Sequence, residues 1–169
     1  MLYEQYLNVI DEKKDIFCGV SDALWDNPEL PFEEYEASRL MTEVLEKEGF
    51  RVTYNVAGMP TAFKATYGSG SPALGILAEY DGLPSMSQEA CVAERRPIPG
   101  TDKHHGCGHH LFAGGSLAAA FAVKAYIEKT GKGSITLFGC PAEEGGGGKV
   151  FMARAGVFDG IESIVSWHP

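Results

Sequence analysis

The residues best suited to chemistry lie in one short segment that combines imidazoles, a thiol and two glycines. Residues 104–110 read His-His-Gly-Cys-Gly-His-His and hold four of the five histidines of the chain. Cys107 and His109 are two positions apart, which on an α-helix would point them about 200° away from each other. The glycines at 106 and 108 permit a turn that brings both side chains to one ion. The segment therefore predicts metal ligation by Cys107 and His109.

A helix is predicted to follow this segment, and its dipole would stabilise a thiolate at the helix N-terminus. We therefore expect the pKa of Cys107 to be lowered towards the ionised form that binds metals. Two other functions stay open. The histidines could lie exposed on a loop and bind metal loosely, or Cys107 could be the nucleophile of a cysteine hydrolase with a nearby histidine as its base.

Glu143 and Glu144 form a second candidate group. They follow a predicted apolar strand and precede glycines 145–148, which allow a backbone to approach a ligand closely. Neighbouring side chains on an extended backbone diverge, so one acid could bind a metal while the other faces a water molecule. That arrangement suits a metal ligand and a general base, although two adjacent acids are more often a solvated surface.

His168 and Asp81 also follow predicted strands. His168 stands in the sequence Ser-Trp-His-Pro, and Asp81 follows the strand that ends at residue 78. A histidine after a strand is more often a packed or surface residue, so His168 alone is a weak candidate ligand. Asp81 could hydrogen-bond a ligating imidazole, or it could simply form a turn with Gly82.

Periodicity predicts the elements that would position these residues. Apolar residues at steps of three and four predict helices over 3–25, 33–49, 111–129 and 149–155. Short β-rich runs predict strands over 50–54, 61–67, 73–78, 134–138 and 163–167. The connection 80–106 is longer than most structureless loops, which favours a functional loop. The alternation predicts an α/β fold with a mixed, mostly parallel sheet flanked by helices and a site at the carboxyl ends of its strands.

The composition excludes some classes of function. The length of 169 residues and the 44% apolar content suit one globular unit. A net charge of −9, with no basic cluster larger than Arg95-Arg96, disfavours nucleic acid as a partner. The N-terminus lacks a leader pattern and no run reaches the roughly 18 apolar residues of a membrane span, so we expect a cytoplasmic protein with no membrane partner. The four cysteines form no C-x-x-C pair, which disfavours a disulfide framework.

Taken in order, the motifs resemble the aminoacylase and carboxypeptidase family of co-catalytic metallopeptidases. The resemblance runs over nearly the whole chain and is carried by Pro28-Glu29-Leu30 and by residues 75–84, 105–109, 141–145 and 167–169. It falls in the amidohydrolase branch, which includes hippurate hydrolase and the auxin-conjugate hydrolases. Residues 58–63, 67–70 and 138–144 are most similar to aminobenzoyl-glutamate hydrolase and its dipeptidase-like relatives.

The resemblance implies a zinc-exopeptidase-like catalytic domain with metal-dependent amidohydrolase activity. Such an enzyme cleaves an amide bond of an N-acyl, aminobenzoyl or aminoacyl amino acid with a metal-activated water. Two divalent ions are implied, zinc or manganese, with cobalt or nickel also admissible because a cysteine ligand favours softer ions than magnesium. The implied ligands are Cys107, His109, Glu144 and His168. Glu143 would be the general base. Asp81 would hydrogen-bond a metal ligand without binding the metal itself.

Two departures limit what the resemblance carries over. Positions that hold an acid and a histidine in much of the branch hold His110 and Phe112 here. Family members are also much longer, with a lid or dimerisation domain inserted after His168 and a later segment that supplies a last histidine ligand. We therefore expect residues 1–169 to be the N-terminal part of the catalytic domain, with little or no activity on their own.

For the full-length protein, the resemblance implies a homodimer that acts on a small molecule. The competing interpretation is that the chain is a truncated, non-catalytic metal-binding or interaction module.

Overall fold

Helices and strands alternate along residues 3–169, the part of the chain that the computed structural model describes. Residues 1 and 2, which belong to the N-terminus considered above for a leader, lie outside it. Within the described range the helices are α1 (Glu4–Glu12), α2 (Lys14–Asp26), α3 (Tyr35–Lys47), α4 (His109–Thr130) and α5 (Gly148–Arg154). The strands are β1 (Arg51–Tyr54), β2 (Phe63–Gly68), β3 (Ala73–Ala78), β4 (Ser134–Gly139) and β5 (Ser163–Val165). A short 3-10 turn, Val56–Gly58, lies between β1 and β2.

The strands form one mixed sheet in the order β1-β2-β4-β3-β5. β1 pairs with β2 and β2 with β4 in antiparallel fashion, whereas β3 is parallel to both β4 and β5. Parallel neighbours need a crossover, and the connections that contain α4 and α5 provide it. The predicted α/β fold with a mixed sheet is confirmed. The sheet is not mostly parallel as predicted, because β2 pairs in antiparallel fashion with both β1 and β4, which gives two antiparallel and two parallel pairs.

Helices cover both faces of the sheet, and the side chains of β4 show this directly. Ile135 and Leu137 belong to a large core shared with residues of α1 to α4. Phe138 and Cys140 belong to a smaller core on the opposite face, which includes Met152 of α5. Alternate residues of a strand face opposite sides, so the burial of five consecutive residues of β4 reflects cover on both faces.

α4 is the central helix of the larger core and lies directly after the His-rich segment. It has the length and hydropathy of a membrane span, but 56% of its most apolar stretch is buried inside the fold, as in the core helix of a globular protein. A Cβ at Gly114 would lie 2.9 Å from the Phe17 carbonyl oxygen, and one at Gly115 would lie 2.5 Å from the Trp167 ring. These glycines therefore allow α4 to pack closely against both α2 and the segment that contains His168.

The helix predicted over 3–25 is in fact two helices. The chain leaves the helical conformation at Lys13, whose φ is −114° and ψ 14°. The Lys13 ammonium forms an ion pair with Glu48 at the end of α3. Side chains of both α1 and α2 face α4, so the apolar repeat continues across the break and cannot reveal it. The other elements begin and end within two residues of their predicted bounds.

The contact between Gly115 and Trp167 can be tested with two matched substitutions. Gly19 lies in α2, and a Cβ there would meet nothing within 4 Å. We expect Gly19→Ala to raise the free energy of unfolding by up to about 1 kcal/mol, the usual helix preference for alanine. Gly115→Ala should cancel or reverse that gain, because overpacking costs about 1–3 kcal/mol. Urea denaturation followed by circular dichroism gives both values, and equal stabilisation by the two variants would contradict the contact.

Candidate metal centre

The candidate site lies at the carboxyl ends of three neighbouring parallel strands. β3 is followed directly by Glu79 and Asp81, β4 by the turn that contains Glu143 and Glu144, and β5 by the short segment that contains His168. The helix α4 begins at the same edge with His109. Ligand sites of parallel α/β sheets occur at this edge, as the sequence indicated.

His109 is the fully buried centre of the site. Its Nδ1 lies 2.9 Å from Asp81 Oδ1 and 3.0 Å from the Asp81 carbonyl oxygen. Both oxygens are acceptors, so Nδ1 carries a ring proton, and in the neutral ring Nε2 holds the lone pair that a metal requires. Asp81 is itself held, because the Glu144 N–H donates to Asp81 Oδ2 over 2.8 Å. Asp81 thus accepts a hydrogen bond from a candidate metal ligand, His109, as the sequence suggested.

Cys107 and His168 meet beside His109. Cys107 Sγ lies 3.5 Å from His168 Nε2, and the His168 and His109 rings are edge to face with centroids 5.4 Å apart. The ligand atoms of the three residues all lie within 4.8 Å of one another. Gly108 makes the turn between Cys107 and His109 with a φ of +83°, and a Cβ there would lie 2.8 Å from the Pro169 ring. The glycine is therefore needed for both the turn and the close approach.

Glu143 and Glu144 approach the same imidazole from the turn after β4. His109 Nε2 lies 3.8 Å from Glu143 Oε2 and 3.9 Å from Glu144 Oε1. The Glu143 side chain is 42% exposed and that of Glu144 only 18%. The two neighbouring acids therefore have different environments, one open to solvent and one largely enclosed.

Glu79 is a site residue that the sequence prediction left out. Its Oε2 lies 3.0 Å from His109 Nε2, and Glu79, His109 and Glu143 form a second group of ligand atoms within 4.8 Å of one another. The other oxygen of Glu79 contacts the ammonium of Lys149 in α5. A signal was present in the sequence, because Glu79 and Asp81 are two positions apart after a strand, and alternate residues of an extended chain face the same side.

Three buried polar atoms of the site make no well-aligned hydrogen bond among residues 3–169, although two of them, His109 Nε2 and Glu79 Oε2, lie 3.0 Å apart as an ion pair. The third is Glu144 Oε1. Buried polar atoms nearly always make hydrogen bonds, so a cluster of atoms that make none requires an explanation. Carboxylate oxygens and an imidazole nitrogen are ligands of borderline divalent cations, and a thiol lies beside them. These residues fit a divalent metal centre.

The site raises the pKa of both His109 and Cys107. Burial lowers the pKa of His109, but the contacts with Asp81 and Glu79 outweigh it and raise the pKa to about 10. Burial raises the pKa of the Cys107 thiol, and Glu144 adds to the effect, to about 11. The predicted lowering of the Cys107 pKa is therefore wrong in the absence of a cation. Burial of the thiol is the largest cause, and the nearby carboxylates of Glu144, Glu143 and Glu79 act in the same direction.

The other three imidazoles of the His-rich segment take no part in either group of ligand atoms within the described residues. His104 and His105 are buried, and the rings of His104 and His110 pack on Trp25 with centroids 4.2 and 4.8 Å away. The alternative of exposed loop histidines is therefore wrong for this segment. Phe112, at a position where the branch often has histidine, is buried with its ring centroid 5.7 Å from that of His168.

These pKa values make metal binding depend on pH. Below pH 9 both His109 and Cys107 hold protons that a cation must displace, so raising the pH favours binding. We expect the affinity for Zn²⁺ to rise by up to about tenfold per displaced proton for each pH unit between pH 6 and 8. Calorimetric titration in buffers of different ionisation enthalpy counts the protons. Asp81→Asn should reduce the count, and an affinity that is independent of pH would contradict this account.

Known proteins are similar to this chain over the residues of the candidate metal centre. Residues 75–168 match the family described as Peptidase family M20/M25/M40, and this range includes every site residue named above. The chain is 40% identical over 169 residues to a subunit of p-aminobenzoyl-glutamate hydrolase from Escherichia coli (strain K12), covering 99% of this chain and 35% of that protein. It is 32% identical over 177 residues to human (Homo sapiens) Xaa-Arg dipeptidase, covering 95% of this chain and 37% of that protein. The chain thus spans about a third of the length of these curated relatives.

A solved structure agrees with the sequence match. The fold superimposes on the crystal structure of the Bacillus subtilis YXEP protein, a dinuclear metal binding peptidase from the M20 family, with a TM-score of 0.76 and 25% identity. The match covers 90% of this chain and 42% of that chain. Because the family match extends over more than half of the sequence and the fold agrees with it, this chain belongs to peptidase family M20/M25/M40.

Proposed function

We propose that the protein is a metal-dependent amidohydrolase that cleaves an amide bond of an N-acyl, aminobenzoyl or aminoacyl amino acid. The observation that carries the proposal is the set of buried ligand atoms around His109 Nε2 that make no hydrogen bond among the described residues, at the edge of the sheet where Cys107 and His168 also meet. Two relatives are named for hydrolysis of aminobenzoyl-glutamate and of Xaa-Arg dipeptides, which supports an amide substrate that ends in an amino acid.

The proposed ligands of two divalent cations are Cys107, His109, Glu144 and His168, and we add Glu79 as a candidate ligand. Support comes from two adjacent groups of ligand atoms, Cys107 with His168 and Glu79 with Glu143, on either side of His109. The one free lone pair of His109, on Nε2, would serve a single cation, so a second cation would have to use the other donors. Bound cations would polarise the scissile carbonyl and lower the pKa of the attacking water. The Cys107 thiolate favours zinc, and manganese, cobalt and nickel remain compatible with this set of donors. A last histidine ligand from another part of the protein stays a prediction.

Glu143 is proposed as the general base. Its exposed carboxylate faces the solvent from which a substrate would enter, while its Oε2 stays 3.8 Å from His109 Nε2. In the proposed reaction Glu143 takes a proton from water as the water oxygen adds to the amide carbonyl carbon. Glu143 then donates that proton to the amine nitrogen as the carbon–nitrogen bond breaks, which releases a carboxylic acid and a free amine.

Asp81 and Lys149 would support these groups without touching the reacting atoms. Asp81 accepts the Nδ1 proton of His109 and so fixes the ring orientation and the tautomer. Lys149 pairs with Glu79 and offsets part of the negative charge that the acids bring together.

A cysteine hydrolase is the less suitable alternative. A nucleophilic cysteine needs a lowered pKa, whereas burial and the neighbouring Glu144 raise the pKa of Cys107 to about 11. A non-catalytic metal-binding module would use the same ligands but would not need Glu143, so substitution of Glu143 separates it from the enzyme.

The proposal extends to the wider properties of the protein. The net charge of −9 favours a small-molecule substrate over nucleic acid. A cytoplasmic location stays a prediction from the sequence. A homodimer and the assignment of residues 1–169 to the N-terminal part of a larger catalytic domain stay predictions from the family resemblance.

The function is tested by Glu143→Ala in the longest available form of the protein. We expect the kcat for aminobenzoyl-glutamate to fall about 10²- to 10⁴-fold, the usual contribution of a general base. Metal content measured by mass spectrometry should stay the same, because Glu143 is proposed to move a proton and the other residues to hold the cations.

Glu33→Ala is the matched control, since Glu33 is also an exposed glutamate beside a site-forming segment. It should leave both turnover and metal content unchanged. Unchanged turnover in Glu143→Ala, or a wild-type protein that binds no metal, would refute the mechanism. Activity that survives chelation but is lost on thiol alkylation would instead favour the cysteine hydrolase.

A further inference from the structure

The turn that carries Glu143 and Glu144 is held by a buried acid far away in the sequence. Glu34 is completely buried, yet it belongs to neither group of candidate ligand atoms. Its Oε1 accepts hydrogen bonds from the Ala142 N–H over 2.7 Å and from the Phe32 N–H over 2.9 Å. Its Oε2 accepts one from the Thr61 hydroxyl over 2.8 Å. One carboxylate therefore joins three segments of the chain.

A role in capping α3 does not explain this burial. Glu34 stands at the N-terminal boundary of α3 but its side chain makes no hydrogen bond to the helix. The carboxylate of Glu29 has that role, because it accepts hydrogen bonds from the Glu36 and Ala37 N–H groups in the first turn. Glu34 instead points away from its own helix to Ala142, 108 residues further along the chain.

The backbone that Glu34 holds is strained. Phe32 and Ala142 both adopt a positive φ, 68° and 54°, which residues with a Cβ rarely do, and their N–H groups donate to the same oxygen of Glu34. Such conformations persist only where surrounding contacts enforce them, and they concentrate at functional sites. Burial raises the pKa of Glu34, and the hydrogen bonds from Thr61, Ala142 and Phe32 oppose that rise.

Glu34 and Asp81 hold opposite ends of the same three residues. Glu34 accepts from the N–H of Ala142 and Asp81 accepts from the N–H of Glu144, so Glu143 lies between two fixed points. The two acids are also connected. Thr61, which donates to Glu34, accepts through its carbonyl a hydrogen bond from the buried hydroxyl of Tyr80, the residue next to Asp81.

We propose that Glu34 is a positioning residue for the proposed hydrolysis: its buried carboxylate fixes the Ala142 backbone so that Glu143 and Glu144 are directed at His109. This inference rests on the proposed function, but it makes a separate statement about metal binding. Displacing the turn would move Glu144 away from the cation and Glu143 away from the substrate. Neither loss requires the protein to unfold.

Three variants test the proposal in the longest available form of the protein. Glu34→Ala removes the acceptor. Glu34→Gln keeps it, because the amide oxygen can accept from the Ala142 and Phe32 N–H groups while the amide nitrogen donates to the Thr61 oxygen. Glu29→Ala is the matched control, which removes a glutamate that caps α3 without contacting the turn.

The first readouts are kcat and KM for aminobenzoyl-glutamate. The second is the Kd for Co²⁺, measured from the absorption band that Co²⁺ gives when the Cys107 thiolate binds it. We expect Glu34→Ala to lower kcat and to raise the Kd for Co²⁺ about 10- to 100-fold, as is usual for groups that orient metal ligands, with KM within about threefold. Glu34→Gln should restore both values to within about threefold. Glu29→Ala should lower the Tm alone.

The proposal is overturned if Glu34→Ala lowers only the Tm, as the Glu29 control does, or if Glu34→Gln is as impaired as Glu34→Ala. If Glu34→Ala does not fold, Glu34→Asp takes its place. The aspartate keeps the charge, but its side chain is one methylene too short to reach Ala142. Unchanged kcat and Co²⁺ affinity in Glu34→Asp would also overturn the proposal. A wild type that binds Co²⁺ but hydrolyses no amide would refute the proposed function alone, and the Co²⁺ affinities would still decide the role of Glu34.

Discussion

Four carboxylates surround one buried imidazole, and the repulsion among them is the constraint that the rest of the site must satisfy. Glu79, Asp81, Glu143 and Glu144 all place an oxygen within 4 Å of a His109 nitrogen. Negative charges so close together repel one another, and burial increases the repulsion because water cannot screen them. The protein offsets the charge with the Lys149 ammonium, the Glu144 N–H and a His109 ring that keeps its proton. The same concentration of charge is what attracts a divalent cation.

This constraint explains why the site lies on strand ends rather than on mobile loops. Side chains that repel one another separate unless their backbones are fixed. Here the backbones are fixed by β3 and β4, which pair in register along their whole length, and by hydrogen bonds from the turn to two acids. Glu34 and Asp81 are thus equivalent in one respect. Each accepts hydrogen bonds from backbone N–H groups of the turn and thereby directs the acids that face the cation.

Distance along the chain decided which features could be predicted from the sequence. Periodicities of 2 and 3.6 predicted the strands and helices, and the glycines around Cys107 predicted the turn that the left-handed Gly108 makes. Glu79 was missed although its spacing from Asp81 was a local signal, but the other missed features of the site depend on distant residues. The contact between Glu34 and Ala142 spans 108 positions. The raised pKa of Cys107 depends first on burial of the thiol and then on the approach of Glu144, and both arise only in the folded chain. No local pattern specifies the antiparallel pairing of β2 with β4. This pair is the reason that the sheet has as many antiparallel as parallel pairs of neighbouring strands.

The crowded turn after β4 also limits how this protein could diverge. A Cβ at Gly146 would lie 2.6 Å from that of Ala142, and one at Gly148 would lie 1.9 Å from the Pro141 carbonyl oxygen. Ala142 itself adopts a conformation that β-branched residues avoid. A larger residue at Gly146 or Gly148 would require a backbone shift, so these two positions offer natural selection little variation. Variation near the site would therefore arise more readily at exposed positions outside the turn, such as Phe151 of α5.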